Sequence, residues 1–253
     1  MNAKERLLAA IQRKVPDRLP ATTHHLMHSY LHGTMGGITN REFFDYFGLD
    51  PIHWTNSAEY TDSQLENWRI ERDEVAGLEY PTIRYTIHTP GGNLTCVTQS
   101  NEYTVWVTEH LIKNKEDIDV LAKYMPSPSC NVGFIQEEYR CHPEELIRGN
   151  IVCADIFGQP GCWQDAACLV GIEKLIMETF DDPEWVHALL RILQKRKLDY
   201  VGTLRGAPFD LLELGGGDAS STVISPRLFD QFVAPYDREI IAAAHKNGQR
   251  IVY

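Results

Sequence analysis

The chain has 253 residues, of which 43% are hydrophobic, and a formal net charge of −11. This length supports one sizeable core, and the acidic balance argues against a protein that binds nucleic acid or an anionic membrane surface. No apolar run approaches the roughly 18 residues of a membrane span, and the charged N-terminus does not resemble a signal peptide. The six cysteines form no CxxC pair, so we expect reduced thiols in a cytoplasmic protein that acts on a small molecule.

The N-terminal part predicts two helices, separated by a short strand and a run of histidines. Leucine and isoleucine recur at helical spacing over residues 3–12. A short strand is predicted over residues 19–23, and it leads into HHLMHSYLH at residues 24–32. A second helix is predicted over residues 41–47, because a polar capping residue precedes it and a glycine follows it.

The middle of the chain has a different periodicity. Within residues 67–112, apolar and polar residues alternate in IRYTIHTP, NLTCVTQS and YTVWVTEHLI. The sequence Pro90-Gly91-Gly92 is typical of a turn between two strands. We therefore predict a β-meander or long hairpin inserted into an otherwise α/β chain.

Strands and helices alternate again in the C-terminal half. The predicted elements are the helix KEDIDVLAKY, the strand GNIVCADIFG, helices over residues 163–170, 172–180 and 183–205, the strand FDLLEL, a helix capped by Ser225 and stopped by Gly248, and the strand RIVY. This order predicts a parallel sheet covered by helices. A (β/α)8 barrel needs about 250 residues for eight strands, whereas this chain reaches only about the fifth. We expect a single barrel domain over residues 1–253, truncated at its C-terminus, since a buried last strand leaves a sheet edge open.

Four stretches resemble the uroporphyrinogen decarboxylase superfamily. They are NAKERLLAAIQRKVPDRLP, HTPGGNLTCV, IFGQPGCW and, most specifically, ELGGGDASSTVISPRLFDQFVAPYDREII. The resemblance covers essentially the whole chain and implies a (β/α)8 barrel. It also implies one of two activities: decarboxylation of a porphyrinogen without a cofactor, or transfer of methyl groups to or from corrinoid proteins, usually with a zinc ion that activates a thiol.

The substrate-binding motif of the true decarboxylase has no counterpart here. That branch carries RQAGR after its first strand, and its arginines bind the substrate's carboxylates bidentately. The corresponding stretch is HHLMHS, and no arginine lies between Arg18 and Arg41. Of the family's acidic site residues, only the one ahead of ISP is retained, as Asp218. The resemblance therefore favours the methyltransferase branch. Decarboxylation of a tetrapyrrole and a non-catalytic, incomplete barrel with a binding role stay open as alternatives.

The resemblance places the zinc ligands outside the printed sequence. The methyltransferase branch carries zinc on an H-x-C pair at the end of the strand that begins here as RIVY, together with a later cysteine. The sequence stops one residue before the position of that histidine, so no metal ligand is assigned within this chain. We expect zinc only if residues beyond Tyr253 supply its ligands, and a corrinoid carried by a partner protein.

Asp218 and Glu213 are the predicted catalytic residues. Asp218 follows three glycines after a strand, at the end where barrel enzymes place their active sites. Glu213 lies just inside the same strand end, where a buried carboxylate needs a partner. The alternatives are backbone capping by Asp218 and structural pairing by Glu213.

His25, His28, Asp155 and Gln159 are the predicted substrate-binding residues. Asp155 and Gln159 flank the strand end in CADIFGQP. His25 and His28 occupy the place of the decarboxylase arginines, where imidazoles supply hydrogen-bonding and titratable groups. If the histidine run is helical, histidines four residues apart also form a face that can hold a transition metal. Ordinary surface or core histidines are the remaining alternative.

Overall fold

The computed structural model describes residues 1–151 and 158–253 of the chain. Its helices are α1 (Ala3–Ile11), α2 (His28–Gly33), α3 (Asn40–Phe47), α4 (Asp62–Leu65), α5 (Asp117–Tyr124), α6 (Val132–Cys141), α7 (Cys162–Val170), α8 (Ile172–Asp181), α9 (Pro183–Gly202), α10 (Pro226–Phe232) and α11 (Ala234–Lys246). Its strands are β1 (Ile52–Trp54), β2 (Arg69–Val75), β3 (Thr82–Thr89), β4 (Gly92–Ser100), β5 (Val105–Glu109), β6 (Leu146–Asn150), β7 (Leu211–Glu213) and β8 (Ile251–Val252).

Four of these strands form a parallel sheet in the order β1-β6-β7-β8. Because side chains alternate across a strand, one face of this sheet carries Ile52, Leu146 and Leu211. These three residues pack with Leu7 of α1 in a small apolar cluster. The opposite face, which includes Ile147, packs against the helices in the main core. The predicted mixed architecture, a parallel sheet covered by helices, is therefore confirmed.

The four other strands form the predicted meander. They pair antiparallel in the order β2-β3-β4-β5. The predicted turn at Pro90-Gly91-Gly92 joins β3 to β4, and Gly92 has a φ of 124°, a conformation that favours glycine. The sheet packs on the main core through the buried residues Ile87, Leu94 and Cys96.

The prediction of a strand over residues 19–23 is wrong. This segment is irregular, and Leu19 is 86% exposed. It is fixed instead by Asp50, whose carboxylate accepts a hydrogen bond from the Ala21 N–H at 3.0 Å and pairs with Arg18 at 2.8 Å. Apolar composition suggested a strand, but a strand also needs a neighbour to pair with, and polar contacts to Asp50 determine the path here.

Three helices begin at polar capping residues, among them the predicted cap Ser225. Thr39, Asp182 and Ser225 each accept a hydrogen bond from a backbone N–H in the first turn of α3, α9 and α10 respectively. The single helix predicted after Ser225 is divided at Val233 into α10 and α11. Pro235, which has no N–H to continue the helical hydrogen bonds, explains the break. Within residues 1–151 and 158–253, no helix has both the length and the hydrophobicity to cross a membrane.

Candidate functional site

Two adjoining cavities, each of about 410 Å³, open at the carboxyl ends of the parallel strands. They share the lining residues His24, Glu213, Gly216 and Gly217. Strands in a parallel sheet end on the same side, and their carboxyl ends are where such folds place their ligands. The two cavities therefore form one candidate site.

Glu213, at the end of β7, is the centre of a charged network in this site. Its Oε2 accepts a hydrogen bond from Arg148 Nη2 at 2.7 Å and lies 2.9 Å from His24 Nε2. The Arg148 guanidinium stacks 4.6 Å from the centroid of the Trp54 ring, and the Trp54 indole N–H donates to the His24 carbonyl at 2.6 Å. Three strands and the histidine run thus converge on one carboxylate.

This network gives His24 a defined chemical role. A carboxylate on one imidazole nitrogen orients the ring and leaves the other nitrogen to exchange a proton with a bound molecule. Arg148 is half-buried, and its Nε has no hydrogen-bond partner in the described part of the chain. Because Arg148 is already paired with Glu213, it is not a free cation for a substrate.

Amide side chains form the opposite wall of the site. Asn56 Oδ1 accepts a hydrogen bond from the Asn150 N–H at 3.0 Å, and Gln164 Nε2 donates to Gln159 Oε1 at 3.2 Å. The side-chain oxygens of Asn150 and Gln164 are buried and have no hydrogen-bond partner among the described residues. Buried acceptors of this kind are normally satisfied, so this wall suits a ligand that donates hydrogen bonds.

A buried lysine supports the loop that carries Gln159. Lys197 on α9 is fully buried, and its Nζ donates to the Gln159 carbonyl at 2.6 Å and to Asp165 Oδ2 at 3.1 Å. This contact ties the loop at the cavity wall to α7 and α9. The position of the loop that carries Gln159 therefore depends on how α7 and α9 pack together.

Tyr253 closes the other side of the site. Its hydroxyl donates to Asp237 Oδ2 of α11 at 2.9 Å, and its ring is part of the cavity lining. Burial raises the pKa of both the Tyr253 hydroxyl and the Asp237 carboxyl above their usual values. The hydrogen bond between the two side chains forms this wall of the site.

The structure brings three of the six predicted site residues into the cavity lining, and these are Glu213, His25 and Gln159. Asp218 lies in a short 3-10 turn between lining residues but is not itself in the described lining. Its main-chain carbonyl accepts from the Trp163 indole at 3.1 Å, and burial raises the pKa of its carboxyl.

The predicted residue His28 lies outside the described cavity lining. His28 begins α2 rather than continuing a helix from His25, and its ring lies 4.0 Å from that of His32 on the exposed face of α2. The predicted pairing of histidines four residues apart is thus formed by His28 and His32, but these two residues lie away from the cavity lining. Asp155 lies outside the described residues.

Sequence reasoning missed Arg148 and Trp54, and it passed over His24. The signal for Arg148 was present, since a charged residue stands in the apolar strand LIRGN on the same side as the buried Leu146. The pairing with Glu213 depends on the register of β6 against β7, which the sequence does not state. β1, which carries Trp54, has only three residues and no alternation to detect.

Gly161 brings two loops of the site into close contact. A Cβ at this position would lie 2.7 Å from the carbonyl oxygen and 2.9 Å from the carbonyl carbon of Gly215. We expect Gly161→Ala to destabilise the protein by about 1–3 kcal/mol, because backbone atoms have to move. Urea unfolding measures the effect. Gly202→Ala is the control, since nothing lies within 4 Å of its Cβ; equal loss in both variants would contradict the assigned contact.

Comparison with known proteins agrees with this architecture. The family model for uroporphyrinogen decarboxylase (URO-D) matches residues 2–253, while comparison with curated proteins gave no match. A solved structure described as a methyltransferase from Methanosarcina mazei is similar, with a TM-score of 0.54 and 16% identity, over 96% of this chain and 67% of that chain. At this identity the likeness concerns the fold alone; the family model confirms the predicted (β/α)8 barrel class, of which the described residues form four parallel strands. The chain therefore belongs to the uroporphyrinogen decarboxylase family.

Proposed function

We propose that the protein transfers a methyl group between a corrinoid, carried by a partner protein, and a thiol or other small acceptor. The observation that carries this proposal is the charge of the site. Arg148 is the one arginine in the described cavity lining, and it is paired with Glu213 at 2.7 Å. A porphyrinogen presents several carboxylates, which need free guanidinium or ammonium groups. The imidazole and amide lining suits a smaller, less charged acceptor, and the similar fold of a methyltransferase supports this choice.

The described residues supply the proton transfer that such a reaction needs. A thiol becomes a nucleophile when it loses its proton. In the proposed reaction, His24 accepts that proton while Glu213 orients the ring and stabilises the charge that forms on it. The sulfur then forms a bond to the methyl carbon. The corrinoid supplies the methyl group and keeps the electron pair of the broken cobalt–carbon bond.

Zinc does not fit the described lining of this site. Thiol-activating zinc centres use imidazole and thiolate ligands with one open position. His24, His25 and Glu213 line the cavities, but no cysteine does so among the described residues, and these three do not form a cluster of converging ligands. The proposed chemistry of this chain therefore rests on the contact between His24 and Glu213.

The remaining predicted residues have supporting places in this proposal. His25 and Gln159 contact the acceptor from the cavity wall. Asp218 lies in the turn between the lining residues Gly217 and Ala219, and burial raises the pKa of its carboxyl. Asp155 is retained as a substrate-binding residue on the sequence pattern alone.

A methyl-transfer assay tests the proposal. We expect the purified protein to demethylate methylcobalamin in the presence of a small thiol, followed by the cobalamin absorbance and by mass spectrometry of the methylated thiol. The reaction without thiol is the control. Lack of any thiol-dependent demethylation, with free methylcobalamin and with a methylated corrinoid protein, would contradict the proposal. Release of carbon dioxide from a porphyrinogen would favour decarboxylation instead.

A further inference from the structure

A cluster of histidine and glutamate side chains lies on the far side of the parallel sheet from the cavities. His53 is next to Trp54 in β1, so the two side chains point to opposite faces of the strand. His53 faces Glu138 of α6, together with His142 and Glu145 in the connection from α6 to β6. These four residues form what we name the outer histidine cluster.

The geometry of the outer histidine cluster is compact. His53 Nε2 lies 2.5 Å from Glu138 Oε2, and His142 Nδ1 lies 3.4 Å from Glu145 Oε1. The two imidazole rings stack with their centroids 3.7 Å apart and 14° between their planes. One ligand atom from each of His53, His142 and Glu145 lies within 4.8 Å of the others. The ligand atoms are therefore close enough to share one ion once the imidazole rings rotate out of the stacked arrangement.

The outer histidine cluster places two carboxylates beside two stacked imidazoles. If both stacked imidazoles were protonated, two positive charges would lie face to face and repel each other. If one imidazole is protonated, it balances one carboxylate, and the charge balance of the pair of carboxylates then depends on Arg41. Arg41 Nη1 reaches Glu145 only at 3.5 Å, because its Nε is paired with Asp45 at 3.1 Å. A divalent cation bound between neutral imidazoles and the carboxylates would remove both difficulties.

We propose that the outer histidine cluster binds a divalent transition-metal ion of the zinc class. Two imidazoles and one or two carboxylates are ligands that zinc, nickel and copper accept, whereas magnesium and calcium prefer oxygen ligands alone. All four side chains are about 15–31% exposed, so an ion has access from solvent. The ion would link β1, an edge strand of the described sheet, to the segment between α6 and β6. This site is independent of the proposed methyl transfer.

Metal titration of the whole chain, purified without a histidine tag, tests the site. We expect Co²⁺ or Zn²⁺ to bind with one equivalent assigned to this cluster and to raise the midpoint of thermal unfolding. His142→Ala should weaken that binding at least tenfold, since even residues that only support metal ligands are worth about 10–100-fold in affinity. Glu145→Gln is the second variant, because it keeps the size of the side chain. His88→Ala is the control, since His88 pairs with Glu71 at 2.7 Å on the meander.

Absorption spectroscopy of the Co²⁺-bound protein distinguishes a thiolate ligand from the proposed imidazole and carboxylate ligands. Cys141, next to His142, is exposed, and a thiolate bound to Co²⁺ adds an intense near-ultraviolet band that imidazole and carboxylate ligands do not give. A spectrum without that band, lost in His142→Ala and Glu145→Gln but kept in His88→Ala, supports the proposal. Unchanged affinity in both cluster variants, or binding that needs Cys141, would overturn it. Neither outcome depends on whether the chain transfers methyl groups.

Discussion

Replacing Glu213 with glutamine should reduce methyl transfer by about 10²–10⁴-fold, because the proposed proton acceptor, His24, loses the carboxylate that orients and stabilises it. Glu213 Oε2 contacts both Arg148 and His24, at 2.7 and 2.9 Å. Glutamine keeps the shape and can present its oxygen to both partners, but its neutral amide cannot stabilise an imidazolium. The measurement is the single-turnover rate of methylcobalamin demethylation at saturating thiol.

The matched control for this substitution is Glu71→Gln. Glu71 also pairs with a histidine, His88, at 2.7 Å, but on the exposed meander, so its replacement should leave the rate unchanged. His24→Ala should lose activity as Glu213→Gln does, and added imidazole should restore part of it. A wild-type rate in Glu213→Gln, or no rescue of His24→Ala, would show that this pair does not carry the proton.

Local features of the fold were predictable from the sequence, because their causes lie within a few residues. Thr39 and Ser225 cap helices by accepting backbone hydrogen bonds from within the first turn, and a glycine in the Pro90-Gly91-Gly92 turn takes a conformation that other residues avoid. Glu213 was also identifiable, since a carboxylate near the end of a buried strand needs a partner. These cases require no knowledge of distant contacts.

The contacts between residues of the site were not predictable, because they join residues that lie far apart in the chain. Arg148 meets Glu213 only because β6 and β7 pair in one register, and His24 reaches Glu213 from 189 residues away in the chain. The histidine run suggested one continuous helix, yet α2 begins at His28. His24 and His25 therefore turn towards the cavity, while His28 does not. Position in the fold, rather than the density of histidines, separates the two groups.

Replacing Lys197 with methionine should destabilise the protein by about 3–5 kcal/mol, as expected when one partner of a buried ion pair is removed. Lys197 is fully buried, and its Nζ lies 3.1 Å from Asp165, whose side chain is only 5% exposed. Methionine fills much of the same volume but leaves the Asp165 carboxylate without this cation. The free energy of unfolding, measured by urea denaturation, is the readout.

Lys195→Met is the matched control, because Lys195 lies two positions earlier on the same helix, α9. It pairs with Asp199 at 2.7 Å, and the side chains of Lys195 and Asp199 are 75% and 42% exposed respectively. Its loss should cost less than about 1 kcal/mol. Adding Asp165→Asn to Lys197→Met should recover part of the stability, since the Asp165 carboxylate is then no longer a buried charge without its lysine. Equal effects of the two lysine substitutions would contradict the burial of this pair.

Lys197 also donates a hydrogen bond to the Gln159 carbonyl at 2.6 Å. The double variant should therefore regain part of its stability without regaining full methyl transfer. This result would separate the contribution of Lys197 to the fold from its contribution to the site.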